Sequence, residues 1–283
     1  MDHTKKLNMN LRQTKIIDTN FAHASYTTDF QTSKYIVWDR NLSGNDDVVF
    51  MTDNSMMHVD KVNGRKIGLL MEPTAINPHS YNWIRNNFSK FDTVLTYDKE
   101  LLNLDKKFQF YPHGGCWIKP EDQVISDKSK LISIVASNKT QTEGHRLRHH
   151  VINFLKNEIE LDVFGRGYNP IQYKYDTLKD YAFSIVIENS RVDYYFTEKL
   201  IDSLITGTVP VYWGCPSIGD FFNTDGFIIF ESIEDLNDKL KSISFETYSK
   251  MADAIKDNQE RAKKYIIAED WIYENTNIFQ NEF

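Results

Sequence analysis

The run FSIVI at positions 183–187 restricts this chain more than any other feature. A strand without a polar face cannot lie on a sheet that shows one side to water. It has to be covered above and below, which means a parallel sheet between helices. The rest of the chain repeats the theme. Short apolar runs fall at 35–38, 48–51, 66–71, 93–97 and 108–111, and again at 131–136, 160–164, 183–187, 209–213 and 226–230. Helix-compatible or turn-rich stretches separate them, at 79–88, 99–104, 145–157, 177–181, 197–206 and 232–243. This alternation predicts an α/β fold with parallel sheets. A final helix is expected from 246 towards 271, where Met251, Ile255, Ala262 and Ile266 recur near one face.

The stretch 119–130 (KPEDQVISDKSK) is polar, starts beside a proline and has no periodicity, so it reads as a linker. The 283 residues suit two domains of similar size, divided near this linker. No internal repeat or low-complexity tract interrupts them.

Composition narrows the range of functions. Hydrophobic residues make up 41% and charged residues 26%, which is a globular rather than a disordered balance. The net charge of −7 repels phosphodiester backbones, so no nucleic-acid partner is expected. No stretch of about 18 apolar residues occurs, and positions 1–15 lack the apolar run of a signal peptide, so no membrane span is expected. Cys116 and Cys215 lie far apart, giving no disulfide framework and suggesting a reducing cytoplasm. Neither has an obvious paired histidine, and a structural thiol is the simpler reading of each. The sequons at Asn41, Asn87 and Asn138 are then expected to go unused.

Chemistry concentrates at 187–214, IENSRVDYYFTEKLIDSLITGTVPVYWG. This stretch starts at the C-terminal end of a buried strand and passes through a polar loop into a helix N-terminus. Ligands of open parallel sheets bind at that edge, and a helix N-terminus offers free N–H groups and positive potential to a diphosphate. Lys199 lies in the first helical turn, where the dipole disfavours a cation; a bound anion accounts for it. Glu198 can accept hydrogen bonds from ribose hydroxyls, while Asn189 and Tyr195 add polar contacts and a stacking face. The same residues also fit an ordinary turn at Asn189–Ser190 followed by an ordinary first-turn acid.

Three rival signals are weaker. His145 and His149 are four apart and could share a metal, but Arg146 and Arg148 between them oppose a cation. That cluster reads better as a basic face for phosphate, or as a solvated helix face. Gly165-Arg166-Gly167 follows a strand but lacks the third glycine of a dinucleotide fingerprint. No Asp-x-Asp and no P-loop is present, which favours charge neutralisation by Arg and Lys over a metal.

The 187–214 stretch resembles the donor-binding motif of the α1,3-fucosyltransferases, glycosyltransferase family ten. That pattern is close to F-E-N-S, a short spacer, Y-V-T-E-K, a helix and V-P-V-x-x-G. Here it reads Glu188-Asn189-Ser190, then Tyr195-Phe196-Thr197-Glu198-Lys199, then Val209-Pro210-Val211-Tyr212-Trp213-Gly214. Residues 134–138 (IVASN) with Arg148, and 162–166 (DVFGR), are similar to further family segments. Leu70-Met71-Glu72-Pro73 resembles the F-E-S-P segment that carries the catalytic glutamate, although here the glutamate stands in M-E-P-T. Residues 1–60 carry no resemblance.

The resemblance implies a GT-B fold, in which two Rossmann-like domains with parallel sheets face each other across a cleft. The expected division is 1–122 for the acceptor side, 123–262 for the nucleotide-sugar donor domain, and 263–283 for a helix returning to the first domain. It implies an inverting glycosyltransferase that moves L-fucose from GDP-fucose onto a glycan hydroxyl. Glu72 is the expected base, Arg148 and Lys199 neutralise the diphosphate, Glu198 holds ribose, and Asn189 and Tyr195 line the donor pocket. No metal site and no required cofactor are expected, and Mg or Mn could at most stimulate. Without a membrane stem, the expectation is a soluble cytoplasmic enzyme, bacterial or virus-encoded. Two alternatives stay open: a transferase of the same fold using another deoxyhexose or a pentose such as xylose, and a catalytically inactive nucleotide-sugar-binding protein.

Overall fold

Residues 12–17, 33–40 and 48–279 are described by a computed structural model. The first sheet holds six strands, β1 (Arg12–Ile17), β2 (Ile36–Asp39), β3 (Val48–Thr52), β4 (Arg65–Leu69), β5 (Thr93–Thr96) and β6 (Phe108–Phe110). Their order is β2-β1-β3-β4-β5-β6, and every pairing is parallel. The second sheet holds five, β7 (Lys130–Val135), β8 (Asp162–Phe164), β9 (Tyr181–Ile187), β10 (Val209–Trp213) and β11 (Ile228–Ile229). They run β11-β10-β9-β7-β8, again all parallel. The order reverses beside β1 in one sheet and beside β7 in the other. Such a switch point opens a crevice at the C-terminal ends of the strands.

Burial explains these choices. All seven residues of β9 and all five of β10 are buried. Phe183, Ile185 and Ile187 of β9 join Val151, Ile152 and Leu155 of α3 (Glu143–Leu155) in one core. Val186 joins Leu200, Ile201 and Leu204 of α4 (Glu198–Ile205) in another, on the opposite face. Ser184, the polar residue of the run, lies 3.1 Å from the Ser133 hydroxyl. Proline inside a sheet forfeits a ladder bond; β11 reaches only Val211 and Tyr212, so Pro210 lies beyond its end. Gly207, at φ +68°, ends α4.

In the first sheet the connections include α1 (Pro78–Asn87) and α2 (Lys99–Leu102), the latter capped by Asp98, whose carboxylate accepts from Leu101 N–H at 2.9 Å. The apolar runs gave no sign of β1, in whose sequence RQTKII four of the six residues are polar. The sequon at Asn41 lies outside the described residues.

Two helices differ from expectation. No helix forms at 177–181; a 3-10 turn occupies Lys174–Thr177 and β9 begins at Tyr181. The Ser133 hydroxyl donates to the Thr177 carbonyl at 2.8 Å, and the Lys128 ammonium donates to those of Leu178 and Lys179 at 3.3 and 3.1 Å. These contacts take acceptors that a helix would need. After α5 (Ile233–Leu240), capped by Ser232, the expected long helix is broken into α6 (Phe245–Lys250), α7 (Ala252–Ala262) and α8 (Ala268–Asn275). Ile255 of α7 packs in one core of the second sheet and Ala262 in the other. Ala268 and Ile272 of α8, with Ile278 and Phe279, pack in the core of the first. A straight helix could not serve both. Among the described residues no helix is long and apolar enough to cross a membrane.

Candidate active site

The site begins at the β7/β9 switch point. After β7 the chain turns into α3 through Thr142, whose hydroxyl accepts from His145 N–H at 3.2 Å. Gly144 then lies directly on the end of β9: a Cβ built there would stand 1.7 Å from the Glu188 carbonyl oxygen, and its own N–H donates to the Asn189 carbonyl at 3.2 Å. Only glycine permits that approach. One turn further, Arg148 is 5% exposed. Its Nε donates to the Ile187 carbonyl at 3.0 Å, Nη2 contacts the same oxygen, and Nη2 donates to Asn189 Oδ1 at 3.1 Å.

β9 gives way to Glu188, which is fully buried. Its carboxylate accepts from Thr197 N–H at 2.9 Å and from the Thr197 hydroxyl at 2.6 Å, tying the loop 189–196 shut at the mouth of α4. Lys199 donates to Glu198 Oε1 at 2.9 Å and to Thr197 Oγ1 at 3.1 Å, and lies 4.0 Å from Glu188. Burial works against the Lys199 charge, but Glu198 and Glu188 outweigh it and raise its pKa. Burial likewise opposes the Glu198 charge, and Lys199 and Lys174 overcome it, holding the carboxyl down at about 2. Two ionised groups thus persist in a largely enclosed place. Asp202, one turn along α4 and fully buried, accepts from Trp117 N–H at 2.7 Å and sits 3.5 Å from the Lys174 ammonium, so it fixes both neighbours.

Across the crevice the segment after β4 carries Glu72. Burial pushes its carboxyl up, Lys199 pulls it down, Glu198 raises it and Lys139 lowers it; the net direction is upward. A carboxylate with a raised pKa is a stronger proton acceptor than an exposed one. His113, on the loop after β6, is pushed down to about 4, chiefly by burial, and is therefore neutral at pH 7.

Glu72, Arg148, Asn189, Tyr195, Glu198 and Lys199, separated by up to 127 positions in sequence, all line one cleft of about 540 Å³. The cleft also takes in residues that the sequence reading did not assign to the site. Lys139 and Arg166 follow the ends of β7 and β8, where the sheet-edge rule would have flagged them. Lys174 opens the 3-10 turn before β9, and His113 and Trp117 lie on the loop after β6; none carries a local signal. His145 does not join a basic face: burial and Arg148 lower its pKa to about 4, and its Nδ1 lies 3.3 Å from the Thr142 N–H in a capping box. His149 uses both ring nitrogens elsewhere, at 2.6 Å from the Tyr168 hydroxyl and 3.0 Å from the Lys139 carbonyl. Among the described residues no three His, Cys, Asp or Glu side chains converge as a metal site.

Comparison with known proteins bears on this cleft. The family model described as glycosyltransferase family 10 (fucosyltransferase), C-terminal part, matches residues 125–265. The chain is 33% identical over 79 residues to alpha-(1,3)-fucosyltransferase FucT of Helicobacter pylori, a stretch covering 28% of this chain and 16% of that enzyme. It is 28% identical over 225 residues to 4-galactosyl-N-acetylglucosaminide 3-alpha-L-fucosyltransferase FUT5 of Gorilla gorilla gorilla, covering 70% of this chain and 57% of that one. The matches thus span between a sixth and somewhat over half of these relatives. A crystal structure of an alpha1,3-fucosyltransferase with GDP-fucose superposes with a TM-score of 0.58 at 18% identity, over 88% of this chain and 82% of that one. Another, with GDP, gives 0.57 at 18% identity, over 91% of each. At such identity the likeness is one of fold, the GT-B arrangement of two facing Rossmann-like domains. By this match, together with the motif that closes the cleft, residues 125–265 belong to glycosyltransferase family 10, the fucosyltransferases.

Proposed function

We propose that the protein transfers L-fucose from GDP-fucose to a hydroxyl of a glycan acceptor, with inversion at the sugar's anomeric carbon. The observation that carries the reading is the opposition of Glu72, on the first-sheet side, to Arg148 and Lys199 at the end of β9 and the start of α4. In this reading Glu72 takes the acceptor proton as the acceptor oxygen bonds to the anomeric carbon. The bond from that carbon to the phosphate oxygen breaks, and its electron pair leaves with GDP towards Arg148 and Lys199. One base on one face and one stabilised leaving group on the other suffice for inversion. Glu198, pinned to Lys199 and ionised far below neutrality, is unsuited to act as the proton donor that a retaining hydrolase would need. Residues 1–122 form the acceptor side in this proposal, 123–262 hold the donor, and 263–283 brace the first domain.

The test is a thermal-shift panel with GDP, UDP, CDP, dTDP and ADP, followed by transfer assays. A ligand at one hundred times its Kd adds about 2.7 kcal/mol, so stabilisation by GDP alone is the expected outcome. Stabilisation by UDP instead would leave a glycosyltransferase with a different donor, and GDP binding without transfer would mean an inactive nucleotide-sugar-binding protein. Lys199 and Arg148 supply the positive charge that a divalent ion could otherwise bring, so no metal is required in this proposal. Transfer should survive EDTA, and Mg or Mn should at most stimulate it.

Lys199→Ala should weaken GDP binding by about 1.5–3 kcal/mol, the worth of a charge-assisted contact. Calorimetry checks this, with a melting curve to confirm that the variant is folded. Unaltered affinity would move the diphosphate elsewhere in the cleft.

A further inference from the structure

Glu72 is held by its backbone. On its N-terminal side, the Met71 N–H donates to Asp53 Oδ1 at 3.1 Å. On its C-terminal side, its own carbonyl accepts from the Tyr81 hydroxyl at 3.0 Å. The Tyr81 and Tyr97 hydroxyls lie 3.2 Å apart. A hydroxyl has one proton. That of Tyr81 points towards both the Glu72 carbonyl and the Tyr97 oxygen, so Tyr97 holds the Tyr81 hydroxyl from its far side. The Tyr97 ring in turn stands 5.0 Å from the ring of Tyr195, which lines the donor side of the cleft.

Three features separate this arrangement from ordinary core. Asp53, Tyr81 and Tyr97 are 3%, 1% and 2% exposed, yet all three bring polar atoms together beneath a single loop. None of the three lines the cleft. Asp53 also adopts φ +40°, a left-handed conformation that costs a residue with a Cβ and tends to persist where function demands it.

We propose that Asp53 and Tyr81, with Tyr97 behind it, are positioning residues that clamp the peptide units flanking Glu72 and so aim its carboxylate into the cleft. The proposal rests on Glu72 being the base. Neither tyrosine touches substrate in this arrangement, and each acts through the Glu72 loop. The charged groups facing Glu72 are Lys199, Glu198 and Lys139 across the cleft and Asp53 beneath it. Changing either tyrosine leaves all four in place.

Tyr81→Phe removes one oxygen and keeps the ring. GDP affinity should be unchanged, while kcat for fucosyl transfer falls about tenfold to a hundredfold, as for a catalytic group displaced by about an ångström. The acid limb of the kcat profile should also move to lower pH, because a loosened carboxyl regains water and loses the upward push of burial. Tyr97→Phe should shift both quantities the same way by less, and Asp53→Asn, which keeps an oxygen for Met71 N–H but removes a negative charge facing Glu72, should largely preserve kcat while moving the acid limb slightly lower. Wild-type kcat in Tyr81→Phe, or a lower kcat with an unmoved acid limb, would overturn the proposal. Glu72→Gln measured alongside separates the two ideas. If that variant keeps its turnover, the base reading fails and this one with it; if it collapses while Tyr81→Phe does not, only the clamp is lost.

Discussion

Glu72→Gln should lower fucosyl transfer by about 10²–10⁴-fold, the usual contribution of a positioned general base, with GDP affinity kept or slightly improved. The amide matches the carboxylate in size but cannot take the acceptor proton. It also removes a negative charge from a cleft that receives a diphosphate, so binding has no reason to weaken. In the native protein, activity should fall as pH drops through the Glu72 pKa. That limb should lie above the ordinary carboxylate value of about 4.3, since burial raises it more than Lys199 lowers it. The variant should show no such limb. Initial rates across pH with GDP-fucose and a glycan acceptor, beside calorimetry with GDP, check both halves of this expectation. Turnover at the native level would remove Glu72 from the mechanism.

Gly144→Ala should be severely damaging although it adds a single methyl group beside the cleft. The new carbon would meet the Glu188 carbonyl oxygen at 1.7 Å and its carbonyl carbon at 2.8 Å, and both belong to backbone that cannot rotate away. Either α3 lifts or the end of β9 is displaced. Overlaps of side chains cost about 1–3 kcal/mol, and one against main chain belongs at or beyond the top of that range. For a chain of this size the melting temperature should fall on the order of 10 °C. The displacement also strains the Gly144 bond to the Asn189 carbonyl and the Arg148 bonds to Ile187 and Asn189, so GDP binding should weaken even below the melting range. A native melting point, or native GDP affinity in the folded variant, would contradict this account of the β9–α3 junction.

The sequence disclosed the second sheet more fully than the first, for a physical reason. β9 and β10 are buried throughout and therefore apolar almost throughout, which a linear reading detects. β1 is a strand of RQTKII whose place depends on pairing with β2 and β3, and pairing leaves no local trace. The terminal helices failed differently: their apolar spacing was read correctly residue by residue, but the partner changes from one sheet to the other between Ala262 and Ala268. In the cleft, Asn189, Tyr195, Glu198 and Lys199 were legible because strand, loop and helix bring them together within eleven consecutive positions. Lys174 and Trp117 were not, since they depend on a buried carboxylate at Asp202 that looks like any other helical acid in the sequence.

The exchange of partners at the end of the chain also sets an order on biosynthesis. Ala268, Ile272, Ile278 and Phe279 complete the core beneath β1–β6, so a ribosome that has released residues 1–122 has not yet delivered the material that seals them. Domains usually finish folding in the order in which they are made. Here the earlier-made sheet waits with an open apolar face until residues 268–279 emerge, while β7–β11 can already have closed around α3, α4 and α7. A nascent chain stalled before residue 268 would therefore expose the face of the first sheet and be a natural client for a chaperone.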